Sequence, residues 1–137
     1  MTNQDRVVNA LRSMLSGVNT SVIKFLFGDD IFLSYSRADG ATYAAGLADK
    51  LAERGFSTRF DQWGSEPGEE MPASLKKALR RSSALVLIGT PKAARSKHVA
   101  EEVNVAKTAG RLIVPLVFEG SQLPNLLSVI AKGPHRP

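Results

Sequence analysis

Ala84-Leu85-Val86-Leu87-Ile88 is the stretch that decides the fold. Five consecutive apolar residues without polar alternation are what a strand covered on both faces requires. Just upstream, Leu75, Ala78 and Leu79 fall on one side of a helical pattern, and Lys76, Lys77, Arg80 and Arg81 fall mostly on the other. Pro72 suits the first turn of that helix, where its missing N–H loses nothing. Residues 61–70 hold Gly64, Pro67 and Gly68 and read as a loop, after a short strand at residues 56–60. Residues 42–54 put Ala44, Ala45, Leu47, Ala48 and Leu51 on one helical stripe, and Gly55 stands where a helix-ending glycine belongs. Ile31-Phe32-Leu33 reads as a first buried strand, bounded by Asp29-Asp30 and Ser34-Tyr35-Ser36. Downstream, Ser96 suits the N-cap of a helix that runs to about Ala109 and is closed by Gly110. Residues 112–118 read as another buried strand, whose Pro115 points to an edge or irregular position. Residues 121–131 suit a last short helix, and residues 133–137 form a breaker-rich tail.

The resulting order, β-α-β-α-β-α-β, predicts an α/β fold with an open, doubly wound parallel sheet and helices on both faces. Ligands on such sheets bind beyond the carboxyl ends of the strands. Here those ends are residues 34–39, 61–70 and 90–96. Residues 1–28 precede this unit. Val7, Val8, Leu11, Met14, Leu15 and Val18 recur at helical spacing, and Val22, Ile23, Phe25, Leu26 and Phe27 form a second apolar cluster. One or two short amphipathic helices are expected there. They suit packing on the domain or a neighbouring subunit, or docking on a membrane surface or partner.

At 137 residues, 43% hydrophobic and 23% charged, the chain suits one globular domain with a proper core. The absence of cysteine excludes disulfides, thiolate metal sites and a cysteine nucleophile, and is compatible with a cytoplasmic setting. With His98 and His135 as the only imidazoles, a histidine-rich metal site is excluded too, and no metal is expected. The net charge of +5 permits weak attraction to phosphates or acidic partners. No aromatic stacking platform or concentrated basic groove accompanies it, so nucleic acid is not an expected partner. No run approaches the ~18 apolar residues of a membrane span, and Asp5, Arg6 and Arg12 rule out a signal-peptide core at the start. The phosphate-binding loops GxGxxG and GxxxxGK[ST] and the hydrolase elbow GxSxG are all missing.

The carboxylates of interest are Glu101 and Glu102. At about 100° per residue, Val99, Val103 and Ala106 form one narrow stripe, Glu101 lies about 200° from Val99, and Glu102 lies about 60° from it. Glu101 therefore points to water, and Glu102 borders the buried face near the start of a helix at the crevice. A partly buried carboxylate there is a functional candidate. The plainer reading is a boundary glutamate that hydrogen-bonds nearby or favours the helix N-terminus.

Three segments together resemble the Toll/interleukin-1 receptor (TIR) domain family, and their composition resembles its bacterial members. Asp30-Ile31-Phe32-Leu33-Ser34-Tyr35-Ser36-Arg37 resembles the first sequence box. Phe60-Asp61-Gln62-Trp63 with Glu66-Pro67-Gly68-Glu69 resembles the second box and its mobile BB loop. Ser96-Lys97-His98-Val99-Ala100-Glu101-Glu102-Val103 resembles the helix that holds the catalytic glutamate in enzymatic members. The resemblance runs from about Asp29 to Glu119. It implies a flavodoxin-like sheet of order 2-1-3-4-5, of which this sequence supplies 2-1-3-4 without a clear fifth strand or last helix after Ala131. Residues 29–137 would then be a TIR domain, cut short at its C-terminal end.

The resemblance also implies NAD⁺ glycohydrolase activity, with NAD⁺ as substrate and no separate cofactor, giving nicotinamide and ADP-ribose or a cyclic ADP-ribose. It puts Glu102 in the catalytic position. It places Ser34, Tyr35, Ser36, Arg37, Trp63 and His98 around the substrate, and Gly64, Ser65, Glu66, Pro67 and Gly68 in an interaction loop. Family enzymes often carry Trp where this chain has His98, and histidine can also stack on a base. Partners implied are NAD⁺, other copies through TIR–TIR association, and a fused or separate sensor domain. An effector of bacterial antiphage defence is the first expectation. A non-catalytic TIR interaction module is the alternative.

Overall fold

A computed structural model describes residues 3–14, 31–60, 63 and 68–118. In chain order they form α1 (Asn3–Met14), β1 (Ile31–Ser34), α2 (Ala41–Glu53), β2 (Thr58–Arg59), α3 (Ala73–Arg81), β3 (Ala84–Gly89), a 3₁₀ turn (Ala93–Arg95), α4 (Lys97–Thr108) and β4 (Leu112–Val117). The strands make one all-parallel sheet in the order β2-β1-β3-β4. This is the flavodoxin-like arrangement the sequence predicts. The expected boundary between residues 28 and 29, the apolar cluster at 22–27, loop residues 64–67, the helix at 121–131 and any fifth strand lie outside the described residues.

Side chains alternate across a strand, and that alternation builds two apolar layers. Ile31, Leu33, Ala84, Val86 and Ile88 pack with Leu47 and Leu51 of α2 and with Val7, Val8 and Leu11 of α1. Phe32, Leu85 and Leu87 pack on the other face with Leu75 and Leu79 of α3 and with Val99, Val103 and Ala106 of α4. β1 and β3 are central and buried along their whole length, which is why they read as unbroken apolar runs. Each fully buried leucine contributes about 1.5–3 kcal/mol of hydrophobic stabilisation.

β4 departs from its expected burial. It pairs with β3 from Ala84↔Leu112 to Gly89↔Val117, but among the described residues it is the edge strand, only half-buried, with Val117 66% exposed. An edge tolerates Pro115 in the ladder, as its presence suggested. β2 is two residues long rather than five, because only Ile31 and Phe32 of β1 pair with it.

The helix ends follow local rules. Gly55 and Gly110 adopt φ of +88° and +72°, the left-handed geometry that lets the chain leave α2 and α4. Pro72 caps α3 one position earlier than expected. α1 lies on the domain against α2. Besides its apolar stripe, Gln4 Nε2 donates to the Tyr43 carbonyl at 2.9 Å, Lys50 pairs with Asp5 at 3.1 Å, and Arg54 donates to Asn9 at 3.0 Å. A cavity of about 220 Å³ between α1 and β4 is lined by Arg6, Val7, Ala10, Val114 and Leu116 and by none of the expected site residues. No helix among the described residues is long and apolar enough to cross a membrane.

Candidate functional site

The sheet's alternation also creates the site. Ser34 shares the face of Phe32, so it ends β1 pointing toward α4 rather than starting the loop beyond. The Ser96 hydroxyl opens α4 by accepting from the Val99 N–H at 3.3 Å. From that start, Val99, Glu102, Val103 and Ala106 all turn inward. Glu102 is thus fully buried rather than on the border, at 2% exposure, whereas Glu101 is exposed.

A buried carboxylate is costly unless hydrogen-bonded donors meet it. Two do. Ser34 Oγ donates to Oε1 at 2.6 Å, and Trp63 Nε1 donates to Oε2 at 2.9 Å. Hydrogen bonds to a charged acceptor are short and strong. The donors come from the end of β1 and from the segment after β2, so residues far apart in the chain converge on one helix turn. Trp63 is itself 4% exposed.

His98 stands one turn before Glu102 on α4. Its Nδ1 lies 2.8 Å from Ser96 Oγ and its Nε2 lies 3.4 Å from the Tyr35 carbonyl. A neutral ring protonated on Nε2 fits both contacts, with the serine hydroxyl donating to Nδ1. The ring meets Trp63 at 5.8 Å between centroids and 75° between planes, an edge-on arrangement. Burial lowers the His98 pKa. The nearby Arg37 lowers it further, against the opposing effect of the Tyr35 carbonyl.

The structure brings Ser34, Trp63, His98 and Glu102 together. Tyr35 points into the α1/α2 layer, its ring edge-on to Phe60 at 6.0 Å, and offers the site its carbonyl. Ser36 is buried and accepts from the Gly40 N–H through its carbonyl at 2.8 Å. Arg37 is exposed on the rim. Of the expected interaction loop, Gly68 is exposed at φ +79°, and Gly64, Ser65, Glu66 and Pro67 lie outside the described residues.

Sequence reasoning missed Asp39 and Thr90. Thr90 Oγ1 donates to Asp39 Oδ1 at 2.6 Å, and the Lys92 N–H donates to Oδ2 at 3.0 Å. One carboxylate therefore ties the loop after β1 to the loop after β3, and fixes the spacing of the rim. The signal available was an acidic residue in one crevice loop and a hydroxyl in another, which does not specify a pair.

An all-parallel 2-1-3-4 sheet flanked by helices matches known proteins. The chain matches the TIR domain family over residues 31–133, and it belongs to that family. Among solved structures, it is similar to the TIR domains of the activated Roq1 resistosome, which directly recognizes the pathogen effector XopQ. That likeness has 26% identity and a TM-score of 0.53, and covers 64% of this chain and 55% of that one. It is similar in fold to the TIR domain of the Toll-related receptor TRR-2 from the lower metazoan Hydra magnipapillata, at 17% identity and a TM-score of 0.59, covering 73% and 78%. A metazoan TIR-STING receptor from C. gigas shares the fold at 22% identity and a TM-score of 0.56, covering 74% of this chain and 36% of that chain. No curated protein matches this chain.

Proposed function

We propose that this TIR domain cleaves the nicotinamide–ribose bond of NAD⁺ as a self-assembling effector in the cytoplasm. The observation that carries the reading is Glu102, a buried carboxylate aligned by Ser34 and Trp63 at the carboxyl rim of a parallel sheet. The bond breaks with its electron pair moving to the pyridine nitrogen, so nicotinamide leaves neutral and needs little acid help. Positive charge develops on the ribose, as in glycoside cleavage. A fixed carboxylate stabilises that cation and holds the ribose hydroxyls. Water then forms the new C–O bond and gives ADP-ribose with a proton released to solvent. Attack by the adenine instead gives a cyclic product. The reaction needs no separate cofactor.

Arg37, exposed on the rim, suits the NAD⁺ phosphates. Glu102 is closed off in the single chain, so the loops above it must part to admit a ribose. We assign that opening to self-association, in which residues 64–68 and the basic side of α3 take part. A sensor domain, fused or separate, would supply the signal, and bacterial antiphage defence is the proposed setting. The second reading is a non-catalytic interaction module. His98 at the position where family enzymes often carry Trp favours it.

The test is nicotinamide release from NAD⁺ at high protein concentration with a crowding agent. Wild type should release it, and Glu102→Gln should lower kcat by about 10²–10³-fold, the usual effect of losing one preorganised electrostatic group. Undiminished release by Glu102→Gln would move the assignment to Glu101. No release from demonstrably assembled wild type would establish the interaction module instead.

A further inference from the structure

The cleavage chemistry above makes no use of His98, yet three contacts hold its ring at the rim. Ser96 meets one ring nitrogen, the Tyr35 carbonyl meets the other, and Trp63 meets the ring itself. Those contacts are all made inside the chain, and the imidazole is half-buried among them. We propose that His98 is a positioning residue: it seats the Trp63 indole, whose N–H in turn fixes Oε2 of Glu102. This rests on the reading of Glu102 as the working carboxylate.

The spacing supplies the reason. His98 and Glu102 are four residues apart on α4, so they share one face of the helix. A single indole can therefore touch both, its ring against His98 and its N–H on Glu102. Trp63 belongs to neither a helix nor a strand, so no backbone ladder orients it. Its orientation comes from what the ring meets. The charged group that acts on His98 is Arg37 from the loop after β1, and Glu102 stands one turn further along α4. Burial and Arg37 both favour the neutral ring, and the Tyr35 carbonyl opposes them.

Trp63 is the chain's one tryptophan, so its emission reads this contact without any ligand. His98→Ala should shift that emission to the red and raise its quenching by acrylamide. Nicotinamide release should fall about tenfold in kcat, as expected of a reacting group displaced by a fraction of an ångström. KM for NAD⁺ should stay within about twofold, because the lost contact acts on the transition state. His98→Phe keeps an edge-on ring without a proton and should restore emission and kcat together. A protonated imidazole quenches an adjacent indole, so wild-type emission should drop as pH falls below the ordinary histidine range, and His98→Phe should show no such step.

Unchanged emission and quenching in His98→Ala would overturn the proposal. Faster release by His98→Ala would also overturn it, since the contact would then be a latch over Glu102. Wild type that releases no nicotinamide would end the NAD⁺ reading alone, and the emission comparison would still decide whether His98 seats Trp63.

Discussion

The two faces of the sheet are made of the same kinds of side chain and end differently. The α1/α2 face runs from Ile31 and Ala84 through Leu33 and Val86 to Ile88 as one apolar layer. The α3/α4 face begins alike, with Phe32, Leu85 and Leu87, and then meets Ser34 and Glu102 at the rim. Glu102 is the only buried charged side chain among the described residues. The difference teaches that burial alone does not make a core apolar. A carboxylate is accepted where a strand end and a loop bring donors to it, and that is also where a ligand can arrive.

The largest break in this comparison should come from Ser34→Ala. Removing one donor from the buried carboxylate should lower stability by about 1–3 kcal/mol in urea unfolding. Combined with Glu102→Ala, the losses should fall short of additive, which a double-mutant cycle measures. On the other face, Ile88→Val removes a methylene from an apolar layer and should lower stability by about 0.5–1.5 kcal/mol. Nicotinamide release per folded molecule should not change. An equal effect of the two substitutions on release would erase the distinction between the faces.

The third effect is a slope with pH. The folded His98 pKa lies below its ordinary value of 6.5. Between the two values the unfolded chain binds more protons, so stability rises with pH across that window and levels off above it. His98→Phe should flatten that part of the stability–pH profile. The smallest effect concerns Ser83, whose buried hydroxyl has no hydrogen-bond partner. Ser83→Ala should leave stability unchanged or raise it by up to about 1 kcal/mol, because no bond is lost and a desolvated hydroxyl is removed. A clear loss would contradict the rule that separates Ser83 from Ser34.

Much of the fold was legible because its signals are local. Unbroken apolar runs marked β1 and β3, Gly55 and Gly110 marked helix ends, and Ser96 marked the start of α4. Pro115 marked an edge or irregular position, although the half-exposure of β4 was not legible: burial depends on how many neighbours a strand has, and an apolar run reads the same with one or two. The length of β2 escaped for a similar reason, since its partner sets it.

The candidate site divides in the same way. By itself, the sequence determined that Glu101 turns outward and that Glu102 borders the buried face, because helical spacing is a property of one element. It determined the family through three short boxes in order. Only the tertiary structure decided that Ser34 and Trp63 both reach Glu102, that His98 meets Trp63 rather than open space, and that Asp39 ties two loops together. These are contacts between residues tens of positions apart. Their existence depends on the sheet order and on which way each strand face turns, and no spacing along the chain encodes either one.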